Sequence, residues 1–126
     1  MSIEIIATDT APAAIGPYSQ AIKFDGLIFC SGQIPLDPAT GVVVEGGVRE
    51  QAEQVMRNIE AVLKAAGSGF DKVVKATIFL TDMADFVVVN EVYGSRFQHH
   101  KPARSTVAVK SLPKEVALEI EVIAVT

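Results

Sequence analysis

Apolar residues recur every three or four positions between Val48 and Ala66. Ala52, Val55, Met56, Ile59, Val62 and Leu63 form one continuous stripe, while Arg49, Glu50, Glu53, Arg57, Glu60 and Lys64 lie largely outside it. This spacing predicts a long amphipathic helix, and Gly67 is placed to end it. Elsewhere the period falls to two. Ile3, Ile5 and Ala7 alternate with their neighbours in a short first strand. Ser19–Phe24 and Leu27–Gln33 are β-prone runs joined by Asp25-Gly26, a strong hairpin signal. Val73–Leu80, Ser105–Val109 and Val116–Val125 read as further strands. Phe86, Val89, Tyr93 and Phe97 keep helical spacing after Asp82 and Asp85, which predicts a second helix over residues 86–99 despite the run Val87–Val89. The order β-β-β-α-β-α-β-β is that of an α+β fold, one mixed sheet with two helices on one face. No repeat or linker interrupts it, so residues 1–126 are expected to form a single domain.

Two places break the pattern. In the last strand Val116, Leu118, Ile120, Val122 and Ala124 share one face, and Ala117, Glu119, Glu121, Ile123 and Val125 share the other. Two carboxylates thus stand together on an otherwise apolar face. They are either wetted by solvent and paired with Lys110 or Lys114, or they border a cleft where one holds a water. Arg104 follows the rigid Pro102 turn and sits at the mouth of a strand. A guanidinium fixed there offers a planar fork to a carboxylate or phosphate, unless it pairs with a nearby acid. Ser31-Gly32-Gln33 ends an apolar strand with a hydroxyl and a bare backbone, a place where a small polar ligand can approach. By alternation, Leu27, Phe29 and Ser31 share one face, and Ile28, Cys30 and Gly32 the other.

Composition narrows the chemistry. At 49% hydrophobic and 21% charged residues, the chain is expected to fold around a real core. The net charge of −4 and the lack of a Lys/Arg run argue against nucleic acid as the main ligand. No apolar stretch approaches a membrane span, and the first residues lack the features of a signal peptide, so a cytoplasmic setting is expected. The one cysteine, Cys30, sits in an apolar run as inert core. His99 and His100 have no partners at metal-ligand spacing and are expected to solvate a helix end; no metal is assigned. No glycine pattern fits a phosphate-cradling loop.

Gly16-Pro17-Tyr18-Ser19-Gln20-Ala21, Ser31-Gly32-Gln33-Ile34-Pro35, Val89-Asn90 with Tyr93, Pro102-Ala103-Arg104 and Glu119-Ile120-Glu121 together resemble the successive signatures of the RidA/YjgF family, over essentially the whole chain. The resemblance implies a chorismate-mutase-like α+β fold and a homotrimer with clefts between subunits. It implies hydrolysis of reactive 2-imino acids to 2-oxo acids and ammonia, with no cofactor. By position, Arg104 would grip the substrate carboxylate and Glu119 would serve the water. Tyr18, Ser31, Gly32, Asn90 and Thr106 would contact substrate. Thr106 stands where that family often carries Cys, and the segment from Tyr93 to Pro102 is shorter than in several of its members. A module that only binds 2-oxo acids, and an endoribonuclease, are the alternative readings.

Overall fold

In the computed structural model, which describes residues 2–126, six strands form one sheet: β1 (Glu4–Ile6), β2 (Ala21–Phe24), β3 (Leu27–Cys30), β4 (Val73–Leu80), β5 (Ala103–Ala108) and β6 (Leu118–Val125). Their spatial order is β1-β2-β3-β6-β4-β5. Neighbours are antiparallel except β4 and β5, which run parallel. A parallel pair needs a crossover, and helix α2 (Phe86–Gly94) supplies it. The β2–β3 turn places Asp25 and Gly26 at φ 52° and 78°, the left-handed pair that suits the twist of a two-residue hairpin.

Helix α1 (Val48–Ala65) follows the stripe read from the sequence. At its start the Gly47 amide donates to Glu50 Oε1 at 2.7 Å. The stripe packs on Ile28, on Ala76, Ile78 and Leu80 of β4, and on Leu118, Ile120, Val122 and Ala124 of β6, all buried. Two polar residues also sit on this buried face. Gln54 Nε2 donates to Asn58 Oδ1, and Asn58, fully buried, donates to the carbonyls of Ile34 and Leu36. These bonds satisfy two carbonyls of the loop that follows β3.

The other sheet face carries no helix. One row across it runs Ile5, Ile22, Phe29, Ile123, Lys75 and Ala103. Ile5 is 67% exposed and Phe29 43%. No helix among the described residues is long and apolar enough to cross a membrane.

Several boundaries differ from the sequence pattern. Helix α2 ends at Gly94 rather than His99. Glycine is a poor helix former, the Ser95 hydroxyl donates to the Val92 carbonyl at 2.6 Å, and Arg96 and Phe97 continue in i→i+3 turns. Accordingly His99 and His100 lie beyond the helix, and His100 Nε2 donates to the Val73 carbonyl. β6 starts at Leu118 because Lys114 and Glu115 both take positive φ. β5 starts at Ala103, two residues early, drawn in by its ladder with β4. β3 stops at Cys30. From Phe29 to Gln33 the chain takes four steps while its partner takes three, from Ile123 to Ile120, so one extra residue is accommodated as a bulge.

Candidate functional site

Register decides where Arg104 points. It pairs with Ala76, a buried residue on the helix-covered face, so its side chain rises toward α2. There Nη1 donates to Asn90 Oδ1 at 2.7 Å. The guanidinium carbon lies 5.0 Å from the centroid of Tyr93 and 5.5 Å from that of Phe86. Phe86, Asn90 and Tyr93 are spaced i, i+4, i+7, so one face of α2 provides the whole cradle. Arg49 and Arg96 pair with Glu91 and Glu53. Arg104 is exposed and, among the described residues, forms no ion pair. The reading of it as a surface arginine neutralised by an acid is thereby set aside.

Thr106 shares this face two residues along, and its Oγ1 is buried without a hydrogen-bond partner. The Tyr93 hydroxyl is in the same condition. Burial pushes the Tyr93 pKa up, with the Arg104 charge acting against it. Tyr93 was not among the site residues assigned from sequence, although its spacing from Asn90 could have revealed it. Beside Arg104 a cavity of about 670 Å³ opens between the end of α2 and the segment leading into β5.

Glu119 belongs to the opposite, helix-free face, in register with Phe79 of β4. It is half-buried. Burial, and next the Glu121 carboxylate two residues along, push its pKa above the usual carboxylate value. Its carboxylate lies directly over Gly32, where a Cβ would collide with it. Strict alternation had put Gly32 with Ile28 and Cys30; the bulge turns it to the Glu119 side. Ser31, beside it, donates from Oγ to the Ser19 carbonyl at 2.6 Å and from its amide to the Gln20 carbonyl. Buried Gln20 anchors the preceding loop through Thr8 and Pro12, and exposed Tyr18 lies two residues before it. Cys30 packs against the core from the helix side, and burial pushes its thiol up to about 12.

The residues assigned from sequence therefore fall into two groups. Arg104, Asn90 and Thr106 lie on the helix side. Ser31, Gly32 and Glu119 gather at the β3 bulge and the helix-free face, and exposed Tyr18 lies in the loop before β2. Strand β4 separates Arg104 from Glu119, and their side chains leave opposite faces of one sheet. Within one chain the Arg104 and Glu119 side chains cannot meet.

Residues 8–126 match the family model described as Endoribonuclease L-PSP. A mouse protein named 2-iminobutanoate/2-iminopropanoate deaminase is 52% identical over 97% of this chain and 90% of its own length. A Yersinia pestis protein assigned to the conserved Rid family has a structure similar at TM-score 0.97, with 50% identity and coverage of 99% of this chain and 100% of that one. Escherichia coli TdcF with bound serine is similar at TM-score 0.92, with 45% identity over 98% of each chain.

Proposed function

The chain belongs to the endoribonuclease L-PSP family, and from that premise we propose that it hydrolyses 2-imino acids at a site shared between copies of itself. The observation that carries this reading is the unpaired Arg104, aimed by Asn90 on the sheet face opposite Glu119. Relatives named as imine deaminases supply the reaction class.

A 2-imino acid presents a carboxylate beside an electrophilic C=N carbon. Arg104 takes that carboxylate on two parallel N–H groups, one guanidinium edge being kept in place by Asn90. Glu119 of an adjacent copy accepts a proton from water as the water oxygen bonds to C2, and the C=N electron pair of the iminium moves to nitrogen. The resulting amine takes the proton from Glu119. The C–N bond then breaks with its pair on departing ammonia, the C–O bond becomes a carbonyl, and the hydroxyl proton passes through Glu119 to the ammonia, which leaves as ammonium with Glu119 again a carboxylate. Imines already hydrolyse in water, so orientation supplies much of the acceleration required. The raised pKa suits Glu119 to the first step, since a base nearer the working pH takes the proton of water more readily. Gly32 lets the backbone sit against the carboxylate, while Ser31, Tyr18 and Thr106 line the cleft.

The same geometry supports assembly. The helix-free face exposes Ile5, Phe29 and Val107, and β5 is an edge strand exposed along most of its length. A second copy covering this face brings the two half-sites together, and the number three rests on the family resemblance. RNA cleavage, the activity in the family's name, is disfavoured by the net charge of −4. Release of ammonia and 2-oxo acid from imines generated in situ from alanine and 2-aminobutyrate tests the reading. Acceleration by the folded protein supports it; rates equal to buffer overturn it.

A further inference from the structure

The cavity beside Arg104 is much larger than the smallest imino acids need. At about 670 Å³ it falls within the range that holds drug-sized ligands, roughly 300–1,000 Å³, whereas a three-carbon imino acid has six heavy atoms. Its walls are apolar at Tyr93, Phe97 and Pro102, with Gln98 beside them. Within one chain it is lined by two cations, Arg104 and Lys101, and by no acid among the described residues; the proposed function puts Glu119 of the adjacent copy at the imine carbon, beside Arg104. That balance is unusual in a chain with 15 acidic against 11 basic residues. The two cations are three residues apart, so their Cα atoms are separated by no more than about 11 Å. Long side chains from both sides can therefore hold two anionic groups of one short molecule.

Resting on the function proposed above, we infer that this site takes 2-imino acids bearing a second carboxylate, of four or five carbons. Arg104 holds the carboxylate beside the imine carbon. Lys101 meets the distal one, and the aromatic walls pack the intervening methylenes. Apolar walls strengthen the distal pairing by thinning the water around it. The positive cavity also draws a doubly charged ligand from bulk, an effect that weakens with salt. Lys101 acts as a point charge with adjustable reach, so the site tolerates both chain lengths.

The 2-oxo acid products are stable and serve as probes. Calorimetry would compare 2-oxoglutarate with 2-oxopentanoate, equal in carbon number and differing by one carboxylate. The wild-type protein should bind 2-oxoglutarate at least tenfold more tightly, and the ratio should fall below threefold in Lys101→Gln and in 0.5 M salt. Equal affinities in the wild type, or a preference that Lys101→Gln leaves intact, overturn the distal site. In both cases binding of 2-oxopentanoate, lost in Arg104→Ala, shows the Arg104 anchor to stand. If neither compound binds, both the distal site and the anchor it rests on are overturned.

Discussion

Replacing Gly32 with alanine adds one methyl group directly under the Glu119 carboxylate. A Cβ at Gly32 would lie 2.8 Å from Glu119 Cδ and 3.0 Å from Cγ, against the 3.4–4 Å of ordinary contact. Glu119 must therefore retreat by about 1 Å, a displacement of a reacting group that costs on the order of a hundredfold. That corresponds to about 2.7 kcal/mol of transition-state stabilisation. Folding should barely register the change. Gly32 does not occupy positive φ, Glu119 is only half-buried and can swing aside, and removing a glycine lowers unfolded-state entropy by about 0.4–1 kcal/mol. The assay is kcat/KM for imine hydrolysis alongside thermal unfolding. The expected result is a roughly hundredfold loss with Tm within a few degrees of wild type. Because the methyl acts through Glu119, Gly32→Ala should add little to a Glu119→Gln background. Gly32→Ala retaining more than a fifth of wild-type activity, or losses that multiply in the double variant, would refute the reasoning.

Arg104→Lys should lose at least about tenfold in kcat/KM, more than about 1.4 kcal/mol, because an ammonium cannot give two parallel hydrogen bonds; initial rates on the folded variant decide it. Activity should fall on the acid side as Glu119 is protonated, at a pH above the ordinary carboxylate range, and Glu121→Gln should move that limb to lower pH by removing a charge that raises it; an unmoved limb contradicts the assignment. Glu119 binds its proton more tightly folded than unfolded. The stability this gives is complete below the ordinary glutamate pKa and is lost as pH rises through the raised value. Glu119→Gln should therefore increase Tm at pH 8 and leave it nearly unchanged at pH 4. Cys30→Ala should retain turnover, and iodoacetamide at pH 7.5 should leave the native thiol unmodified over minutes, since burial holds it up to about 12; rapid labelling in a mass spectrum counts against this.

Local pattern made much of the fold legible. The 18-residue α1, the eight-residue β4 and the Asp25-Gly26 turn each depend on residues close in sequence, and each was found where periodicity placed it. The alternation in β6, with Glu119 and Glu121 apart from the buried residues, held for the same reason. What escaped depends on partners distant in the chain. The bulge after Cys30 exists only because Gln33 pairs with Ile120, and it reverses the face on which Gly32 lies. Helix α2 ends early where Phe97 turns in to pack against Phe70 and Tyr93. Above all, the placing of Arg104 and Glu119 on opposite faces follows from two ladders meeting at β4, and no single segment encodes it.

With that placement the proposed mechanism needs a site built from two chains, and subunit mixing tests it most directly. Arg104→Lys and Glu119→Gln variants, each nearly inactive alone, would be unfolded together, refolded at equal concentration and assayed against each parent treated identically. In random hybrids about a quarter of all interfaces pair an intact Arg104 with an intact Glu119 from the neighbouring copy. The account predicts recovery of about a quarter of wild-type turnover per chain, from two preparations that have almost none. A mixture no more active than its parents, with hybrids shown by mass spectrometry to have formed, would contradict a site shared between subunits.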